Sequence, residues 1–219
     1  MKVQMTIKLY CFGESGNAYK AALALELAGV RWQPVFVDFF NGETRTDKFR
    51  QLNPMGEVPV MDHDGLILTQ SGLIQQYVVK QSGKLGGDTQ AENHEILRWV
   101  LWDNHKHSSN CGTTRFLNNF IAEEKRPQAV IQWLQGRLKG SWSTLEVVLQ
   151  ERDWLVGGRI SVADLSCCGY LYYPEPFGFE RGDWPAIGRW LDRIAAQPGW
   201  KHPYDLMPGH PSDRRDQKP

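Results

Sequence analysis

The sequence has no excess of charge of either sign. It contains 25 Lys and Arg residues against 25 Asp and Glu residues, so the formal net charge is zero. Binding to nucleic acid or to an anionic membrane relies on a basic field. The chain offers only short basic clusters, such as Arg214 and Arg215. We therefore expect neither nucleic acid nor a membrane among its partners.

Long hydrophobic runs are missing as well. No segment approaches the roughly 18 consecutive apolar residues that a membrane-spanning helix needs. The N-terminal stretch from Met1 to Thr6 has no apolar run of the kind found in signal peptides. Together these absences predict a cytoplasmic protein.

The cysteines lack the spacing of a zinc site or of a redox pair. No Cys-x-x-Cys occurs, and the grouping of His105, His107 and Cys111 matches no zinc pattern. We therefore expect no bound metal. In a reducing compartment the four cysteines should behave as small buried apolar residues; they are Cys11, Cys111, Cys167 and Cys168.

What is present in the first 81 residues is an alternation of strand-like and helix-like segments. The pattern predicts strands at 7–10, 32–37, 57–61 and 66–68, and helices at 18–27, 44–52 and 72–81. Pro34 indicates that the second strand lies at a sheet edge. Asp64 followed by Gly65 predicts a hairpin turn between the last two strands. The order β-α-β-α-β-β-α is the thioredoxin-like arrangement.

The rest of the chain has a different character. Residues 82–90 contain three glycines and predict a linker. Helical spacing predominates from 91 to 207, with helices predicted at 92–104, 128–150, 162–172 and 186–196. The polar tail at 208–219 is typical of a disordered segment. The predicted fold class is α+β: a thioredoxin-like domain at 1–81 followed by an all-α helical bundle at 91–207.

Val58 and Pro59 form the first candidate binding element. A proline within a strand cannot donate to the sheet ladder, so Pro59 marks an edge or a special backbone feature such as a cis peptide bond. An edge of this kind presents the N–H and C=O groups of Val58 to an extended peptide ligand. The alternative is a proline that simply begins a strand.

Gln70 and Ser71 form the second candidate binding element. They lie between the hairpin and the next predicted helix, where Ser71 is a good N-cap. The start of a helix offers free N–H groups and a positive dipole end, which favour a carboxylate. Gln70 both donates and accepts hydrogen bonds, as an amino-acid head group requires. The alternative is a helix cap with no ligand.

These two pairs, with a third motif, resemble the cytosolic glutathione transferases over residues 6–205. The third motif is a capping box in which Ser161 caps a helix and Asp164 follows three residues later. In that family a cis-proline lies beside the cysteinyl group of glutathione, and a Gln-Ser or acid-Ser pair holds the γ-glutamyl group. The resemblance therefore implies that glutathione, as co-substrate, is bound by Val58, Pro59, Gln70 and Ser71. It also implies a homodimer.

The resemblance is to the bacterial-type, serine-using branch, which implies a serine after the first strand whose hydroxyl donates to the glutathione sulfur. Ser15 occupies that position, and Asn17 is a second candidate donor. An unperturbed thiol has a pKa of about 8.5, and lowering that pKa by two units needs about 2.7 kcal/mol. The alternatives are that Ser15 only caps the helix, that Tyr10 is the donor, or that Cys11 is a redox nucleophile.

The activity implied is conjugation of the glutathione thiolate to an electrophilic small molecule. The electrophile pocket would use Phe12, Trp102, His105 and Phe116, whose alternative role is helix packing. Two other functions stay open: glutathione-dependent reduction of peroxides or disulfides at the same site, and a non-catalytic binding module. Glu57 and Gln70 favour the last of these. Many family members have Lys, His or Gln before the Val-Pro pair, and many have an acid where this chain has Gln70.

Overall fold

In the computed structural model, residues 6–211 are described and group into two units. One unit contains residues 6–84 together with residues 198–211, and the other contains residues 85–197. The last part of the described chain therefore belongs with the first unit. No boundary in the sequence pattern indicated this return.

The first unit is built on a four-stranded sheet with strand order β2-β1-β3-β4. The strands are β1 (Ile7–Cys11), β2 (Trp32–Phe36), β3 (Val60–His63) and β4 (Leu66–Thr69). The β1 and β2 strands run parallel, and the other two pairs are antiparallel. Its helices are α1 (Gly16–Ala28), α2 (Asp47–Leu52) and α3 (Ser71–Ser82), with a short 3-10 turn at Glu43–Arg45. The thioredoxin-like prediction is confirmed.

Local chemistry explains the positions of these elements. Pro34 lies in β2, an edge strand, where its missing N–H leaves no gap in a ladder on the outer side. Helix α1 ends at Gly29, whose φ of 71° is the left-handed conformation that glycine adopts without strain. Asp64 and Gly65, with φ of 56° and 86°, form the tight turn between β3 and β4.

The third strand is shorter at its start than the sequence predicted. The pattern indicated a strand from residue 57, whereas β3 begins at Val60. Pro59 has no N–H to donate, so the ladder starts after it. Asn53 instead holds the preceding loop, since its side-chain amide donates to the Glu57 carbonyl at 2.8 Å.

The second unit is helical. Its helices are α4 (Gln90–Trp102), α5 (Ser108–Asn119), α6 (Gln128–Gln150), α7 (Val162–Cys167) and α8 (Pro185–Ala195). A π-helical segment, Asp103–His107, joins α4 to α5. Helix α5 was not predicted, because its sequence is rich in Ser, Asn, Thr and Gly, which are weak helix formers. Helix α7 stops before the predicted end at residue 172, close to Gly169.

The predicted capping box is present at the start of α7. The Ser161 hydroxyl accepts a hydrogen bond from the Ala163 N–H at 3.3 Å, and the Asp164 carboxylate accepts one from the Ser161 N–H at 2.9 Å. The same carboxylate also accepts bonds from the Leu155 N–H and the Trp190 indole, each at 2.9 Å. The burial of Asp164 raises its pKa. One side chain thus ties three segments of the helical unit together.

Residues 198–211 pack against the first unit. They include a short helix, α9 (Pro203–Leu206). The Tyr19 hydroxyl of α1 donates to the Lys201 carbonyl at 2.9 Å, and the Lys201 ammonium lies 2.8 Å from the Glu26 carboxylate. The sequence indicated a disordered tail from residue 208, but residues 208–211 belong to this packed segment. Residues 212–219 lie outside the described part of the chain.

Within residues 6–211, every helix is too short or too polar to cross a lipid bilayer.

Candidate functional site

The register of the sheet brings the predicted glutathione-binding elements together at one end of strands β1, β3 and β4. Tyr10 pairs with Val60, and Val60 pairs with Thr69. The residues just beyond these pairs are Cys11 at the end of β1, Pro59 before β3, and Gln70 after β4. The loop that follows β1, the Val58–Pro59 pair and the start of α3 therefore converge. Residues that are far apart in the sequence therefore lie near one another at this end of the sheet.

Ser15 lies in the loop after β1 and caps α1. Its hydroxyl oxygen accepts a hydrogen bond from the Ala18 N–H at 3.2 Å, and its backbone N–H donates to the Phe12 carbonyl at 3.0 Å. The predicted capping role is therefore present. A hydroxyl that accepts still has its own hydrogen to donate, and within residues 6–211 that hydrogen has no acceptor. Capping and donation to a ligand are compatible in Ser15.

Asn17 lies in the first turn of α1, two residues after Ser15. Its side-chain oxygen is buried and has no hydrogen-bond partner within the described chain. A buried polar atom without a partner is costly and calls for an explanation. A ligand with a hydrogen-bond donor at this position would supply one.

The Val58–Pro59 peptide bond is cis, as the sequence analysis allowed. Pro59 is buried and Val58 is partly buried. The Val58 side chain packs against the cluster formed by Val37, Phe49 and Val60. This packing fixes the position of the Val58 backbone just before β3, which is a central strand of the sheet.

The prediction that Ser71 is an N-cap is wrong. Ser71 is the first residue of α3, and Gln70 occupies the cap position without a side-chain capping bond. Gln70 has φ of 69° and ψ of 116°, which is a rare backbone conformation for a residue other than glycine. Its exposed side-chain amide donates to the sulfur of Met55 at 3.3 Å. The strained backbone turns Gln70 outward at the start of α3, where the first N–H groups of the helix lack intrahelical acceptors.

The structure argues against Tyr10 and Cys11 as activating groups. Tyr10 lies within β1 and packs against the same cluster of Val37, Phe49 and Val60. Cys11 is fully buried at the end of β1. Burial raises the pKa of its thiol to about 12, so the reactive thiolate is almost absent at neutral pH.

Pro208 belongs to the same region and was missed by the sequence analysis. Its carbonyl accepts a hydrogen bond from the Gly13 N–H at 2.6 Å. Gly209 lies against the Phe36 ring at the end of β2, where an added Cβ would come within 2.6 Å of a ring carbon. No local pattern signals either contact, because both depend on the return of the chain to the first unit.

The four predicted electrophile-pocket residues are divided between the two units. In the first unit Phe12 is buried and stacks on Phe39, with ring centroids 4.9 Å apart. In the helical unit His105 and Phe116 are exposed. Trp102 lines a cavity of about 300 Å³ whose other lining residues are Lys106, Asn110, Arg137, Gly140, Ser141 and Thr144. Neither His105 nor Phe116 lines this cavity.

Residues 6–211 contain no cluster of three or more His, Cys, Asp or Glu side chains suited to a metal ion.

Both halves of the chain match one protein family. Residues 5–80 match the glutathione S-transferase N-terminal domain, and residues 111–198 match the glutathione S-transferase C-terminal domain. A thioredoxin-like domain followed by a helical domain is the fold of this family. The chain belongs to the glutathione S-transferase family.

Three characterised relatives span most of the chain. Protein LigF of a Sphingobium species is 29% identical over 92% of this chain and 94% of its own length. The maleylacetoacetate isomerase of Pseudomonas aeruginosa is 28% identical, over 96% and 98% respectively. The disulfide-bond oxidoreductase YfcG of Escherichia coli is 26% identical, over 88% and 91%.

Solved structures that are similar to this chain include proteins named as glutathione transferases. A possible glutathione S-transferase from Rhodopseudomonas palustris is 30% identical, with a TM-score of 0.78 over 90% of this chain and 97% of its own. A glutathione transferase homologue from Lodderomyces elongisporus, solved with two glutathione molecules per subunit, is 25% identical, with a TM-score of 0.84 over 93% and 99%. The relatives thus include one structure that holds glutathione and two enzymes that are named for different activities.

Proposed function

We propose that this chain is a glutathione transferase that conjugates the glutathione thiolate to an electrophilic small molecule. The observation that carries the proposal is the Ser15 hydroxyl, which caps α1 and still has its own hydrogen to donate. It lies at the end of the sheet where the predicted binding elements meet. Ser15 donates to the sulfur of glutathione. Asn17 is the second group beside it.

The chemistry of these groups suits thiolate formation. A hydrogen bond to a charged group contributes about 1.5–3 kcal/mol. Lowering a thiol pKa by two units needs about 2.7 kcal/mol, so two such donors are enough. The positive end of α1, which Ser15 caps, also lowers the pKa of the glutathione thiol, because it favours negative charge.

The remaining elements hold the tripeptide. The Val58 backbone N–H and C=O bond the cysteinyl part of glutathione beside Pro59. Gln70 and the first N–H groups of α3 at Ser71 bond the γ-glutamyl carboxylate and ammonium. The unpartnered side-chain oxygen of Asn17 is an acceptor, so it gives an independent reason to place a ligand N–H group here, while the Asn17 amide NH2 is the group proposed to donate to the sulfur. Phe12, Trp102, His105 and Phe116 remain the residues proposed for the electrophile side.

A second candidate activity is glutathione-dependent disulfide or peroxide reduction at the same site. The similarity to the disulfide-bond oxidoreductase YfcG favours it. Cys11 does not take part, because its thiol is buried and has a pKa of about 12. The reducing thiol in this chemistry is that of glutathione, activated by the same Ser15.

In the cell, we place this activity in the cytoplasm, in a homodimer that detoxifies electrophiles. A mass measurement in solution tests the dimer. A single-chain mass at micromolar concentration would contradict it.

The decisive experiment has two stages. Calorimetric titration with glutathione tests binding first, and an absence of heat at millimolar glutathione would leave only the non-catalytic module. Rates are then compared for chlorodinitrobenzene, a hydroperoxide and a mixed disulfide of glutathione. The proposal expects the aryl halide to be turned over. Turnover of the disulfide alone would replace conjugation with reduction.

A further inference from the structure

The methionines of residues 6–211 differ sharply in exposure. Met55 is 61% exposed, whereas Met61 and Met207 are 0% and 3% exposed. Met61 is packed within β3, and Met207 directly follows α9. Met55 lies instead in the loop that leads to the cis peptide bond at Pro59. Its thioether is therefore open to solvent beside the proposed glutathione site.

The sulfur of Met55 has a polar partner. The side-chain amide of Gln70 donates a hydrogen bond to it at 3.3 Å, across 15 positions of the sequence. A thioether is a weak acceptor. The Gln70 amide is therefore held loosely, and a ligand with a stronger acceptor takes it from the sulfur.

The loop that carries Met55 is fixed by its own hydrogen bonds. The buried Asn53 side chain spans the loop, because its amide donates to the Glu57 carbonyl at 2.8 Å and its oxygen accepts from the Met55 N–H at 3.1 Å. Gly56 has φ of 66°, and a Cβ atom there would lie 2.9 Å from the Thr44 carbonyl oxygen. Met55 therefore keeps its position in the loop.

Gln70 is fixed on the other side of the contact. Its carbonyl accepts a hydrogen bond from the Ile74 N–H at 3.0 Å, in the first turn of α3. Only its exposed side chain is free to exchange one acceptor for another. The contact thus links a residue of the proposed γ-glutamyl site to an atom that can be oxidised.

Oxidation changes the acceptor strength of the Met55 sulfur. The sulfur lone pair attacks one oxygen of a hydroperoxide, so that an S–O bond forms and the O–O bond breaks. The sulfur loses two electrons. The leaving oxygen takes up the hydrogen of the transferred oxygen, and the peroxide is reduced to water or an alcohol. The product is a polar sulfoxide, which specific reductases return to methionine.

Exposure makes this reaction selective. The four cysteines are buried, as are Met61 and Met207. Within the described part of the chain, Met55 is therefore the sulfur that a hydroperoxide in solution reaches first.

We propose that Met55 is a site of reversible oxidation that controls glutathione binding through Gln70. The proposal rests on the function proposed above, in which Gln70 bonds the γ-glutamyl group. In the thioether form, the weak contact releases the Gln70 amide to the ligand. In the sulfoxide form, the S–O oxygen holds the amide, and glutathione binds more weakly. Met55 is thus a positioning residue that acts through Gln70.

The test compares the glutathione affinity of the full chain before and after exposure to hydrogen peroxide. The peroxide is removed before the titration, so that it does not oxidise glutathione, and mass spectrometry of peptides locates the added oxygen. We expect oxygen on Met55 ahead of Met61 and Met207. Calorimetry should show an affinity about threefold to tenfold lower. Unchanged affinity with Met55 oxidised would overturn the proposal.

Reduction tests reversibility. Two methionine sulfoxide reductases are needed, one for each sulfoxide epimer. Their action should restore the original affinity together with the original mass of the Met55 peptide. Affinity that stays low after the mass has returned would assign the loss to other damage and overturn the proposal.

Substitutions of methionine locate the effect. Met55→Leu has no sulfur at this position, so its affinity should be the same before and after peroxide. Met207→Leu removes a buried sulfur instead, and it should respond as the unaltered chain does. Met55→Gln places a permanent amide oxygen beside Gln70 and should weaken binding without peroxide. A peroxide response that persists in Met55→Leu would come from another residue and would refute the role of Met55.

Gln70→Gly distinguishes control through the amide from a general effect of oxidation. Without the amide, the sulfoxide has no donor to hold, so peroxide should leave the remaining affinity of this variant unchanged. An equal loss of affinity in Gln70→Gly and in the unaltered chain would show that Met55 does not act through Gln70.

Failure of this proposal and failure of the proposed function appear in different samples. A chain that binds no glutathione before peroxide is added refutes the glutathione function, and this proposal with it. A chain that binds glutathione equally well with Met55 reduced or oxidised refutes this proposal alone.

Discussion

The amide of Gly13 donates a hydrogen bond of 2.6 Å to the carbonyl of Pro208, and this contact joins the loop that carries Ser15 to the last described segment of the chain. The fit around Gly13 is tight. A Cβ atom at this position would lie 3.2 Å from the Gly209 carbonyl oxygen and 3.2 Å from a Tyr204 ring carbon. The loop proposed to activate glutathione is thus held by residues that the sequence pattern assigned to a tail.

A chain that ends at Met207 should be less stable than the full chain. It loses the bond to Gly13 and the contact of Gly209 with Phe36, which together should lower the free energy of unfolding by about 1–2 kcal/mol. Thermal or urea unfolding measures the difference. A chain that ends at Pro211 is the control, because it retains both contacts. Equal stability of the two shortened chains would show that the Gly13–Pro208 bond contributes nothing.

Gly13→Ala should have a similar effect without any truncation. The added methyl group must displace the segment at Tyr204 and Gly209, at a cost of about 1 kcal/mol or more. Gly182→Ala is the matched control, since a Cβ there meets no atom within 4 Å. If the two alanine variants have the same free energy of unfolding, residues 204–209 adjust around the added methyl group without cost.

Ser15→Ala should shift the pH dependence of conjugation to higher pH by about one to two units, because the glutathione thiolate loses a donor. It should also lower the free energy of unfolding by about 1 kcal/mol, because α1 loses its N-cap and the Ala18 N–H loses its acceptor. Thr46→Ala removes the equivalent cap of α2, where Thr46 accepts from the Phe49 N–H at 3.2 Å. That variant should lose the same stability and keep the pH profile.

Ser15→Thr retains both the cap and the hydroxyl, and it should restore the original pH profile. The measurement is the rate of conjugation against pH at subsaturating glutathione. An unchanged profile in Ser15→Ala would reduce Ser15 to a helix cap.

Gln70→Gly should separate stability from ligand binding. A non-glycine residue in a sparsely populated backbone region costs about 1–3 kcal/mol, so glycine should raise the free energy of unfolding by about 1 kcal/mol. Loss of the Gln70 amide should weaken glutathione binding by about tenfold. Asp64→Gly relieves a positive φ in the β3–β4 turn and serves as the control. It should gain stability and keep its affinity for glutathione.

Calorimetry with glutathione and urea unfolding measure the two effects on the same samples. A Gln70→Gly variant with full glutathione affinity would remove Gln70 from the proposed site.

Much of the first unit, and the start of α7 in the helical unit, could be predicted from local sequence. Pro34 placed β2 at an edge because a residue without an N–H is excluded from a central ladder. Gly29 marked the end of α1 because glycine alone adopts the left-handed cap freely. Ser161 and Asp164 signalled the start of α7 because a capping box is made entirely within four residues. In each case the chemistry that fixes the structure lies within a few residues.

The parts that escaped prediction depend on contacts distant in sequence. The positive φ of Gln70 displaced the cap from Ser71, although glutamine has no preference for that conformation. Pro208 meets Gly13 only because the chain returns to the first unit. The Asp103 carboxylate reaches Ser166 across the helical unit, and nothing near Asp103 in the sequence indicates a π-turn.

The Glu26–Lys201 ion pair should make stability depend on pH. Burial alone would raise the pKa of Glu26, but hydrogen bonds from Lys201 at 2.8 Å and from the Trp32 indole at 3.0 Å outweigh it and hold the pKa below its usual value. A carboxylate with a lowered folded-state pKa stabilises the fold above its unfolded-state pKa of about 4.3. That stabilisation is lost as the pH falls through the folded-state pKa.

Glu26→Gln should therefore lower the urea midpoint at pH near 7 and have little effect below about pH 3. The loss should be under about 1 kcal/mol, because the pair is partly exposed. Glu124→Gln, an exposed acid without an ion pair in the described chain, should leave both midpoints unchanged. A Glu26→Gln effect that is equal at both pH values would show that the contact acts through packing alone.

The return of residues 198–211 to the first unit has a consequence for biosynthesis. A ribosome releases the Gly13 loop early, but Pro208 emerges only after the entire helical unit has been made. The loop that carries Ser15 therefore acquires this partner only after the helical unit has been synthesised. A fragment that stops at residue 84 contains the sheet and all of α1 to α3, yet it lacks this partner. The helical unit, by contrast, is continuous in the chain and complete before residues 198–211 are synthesised.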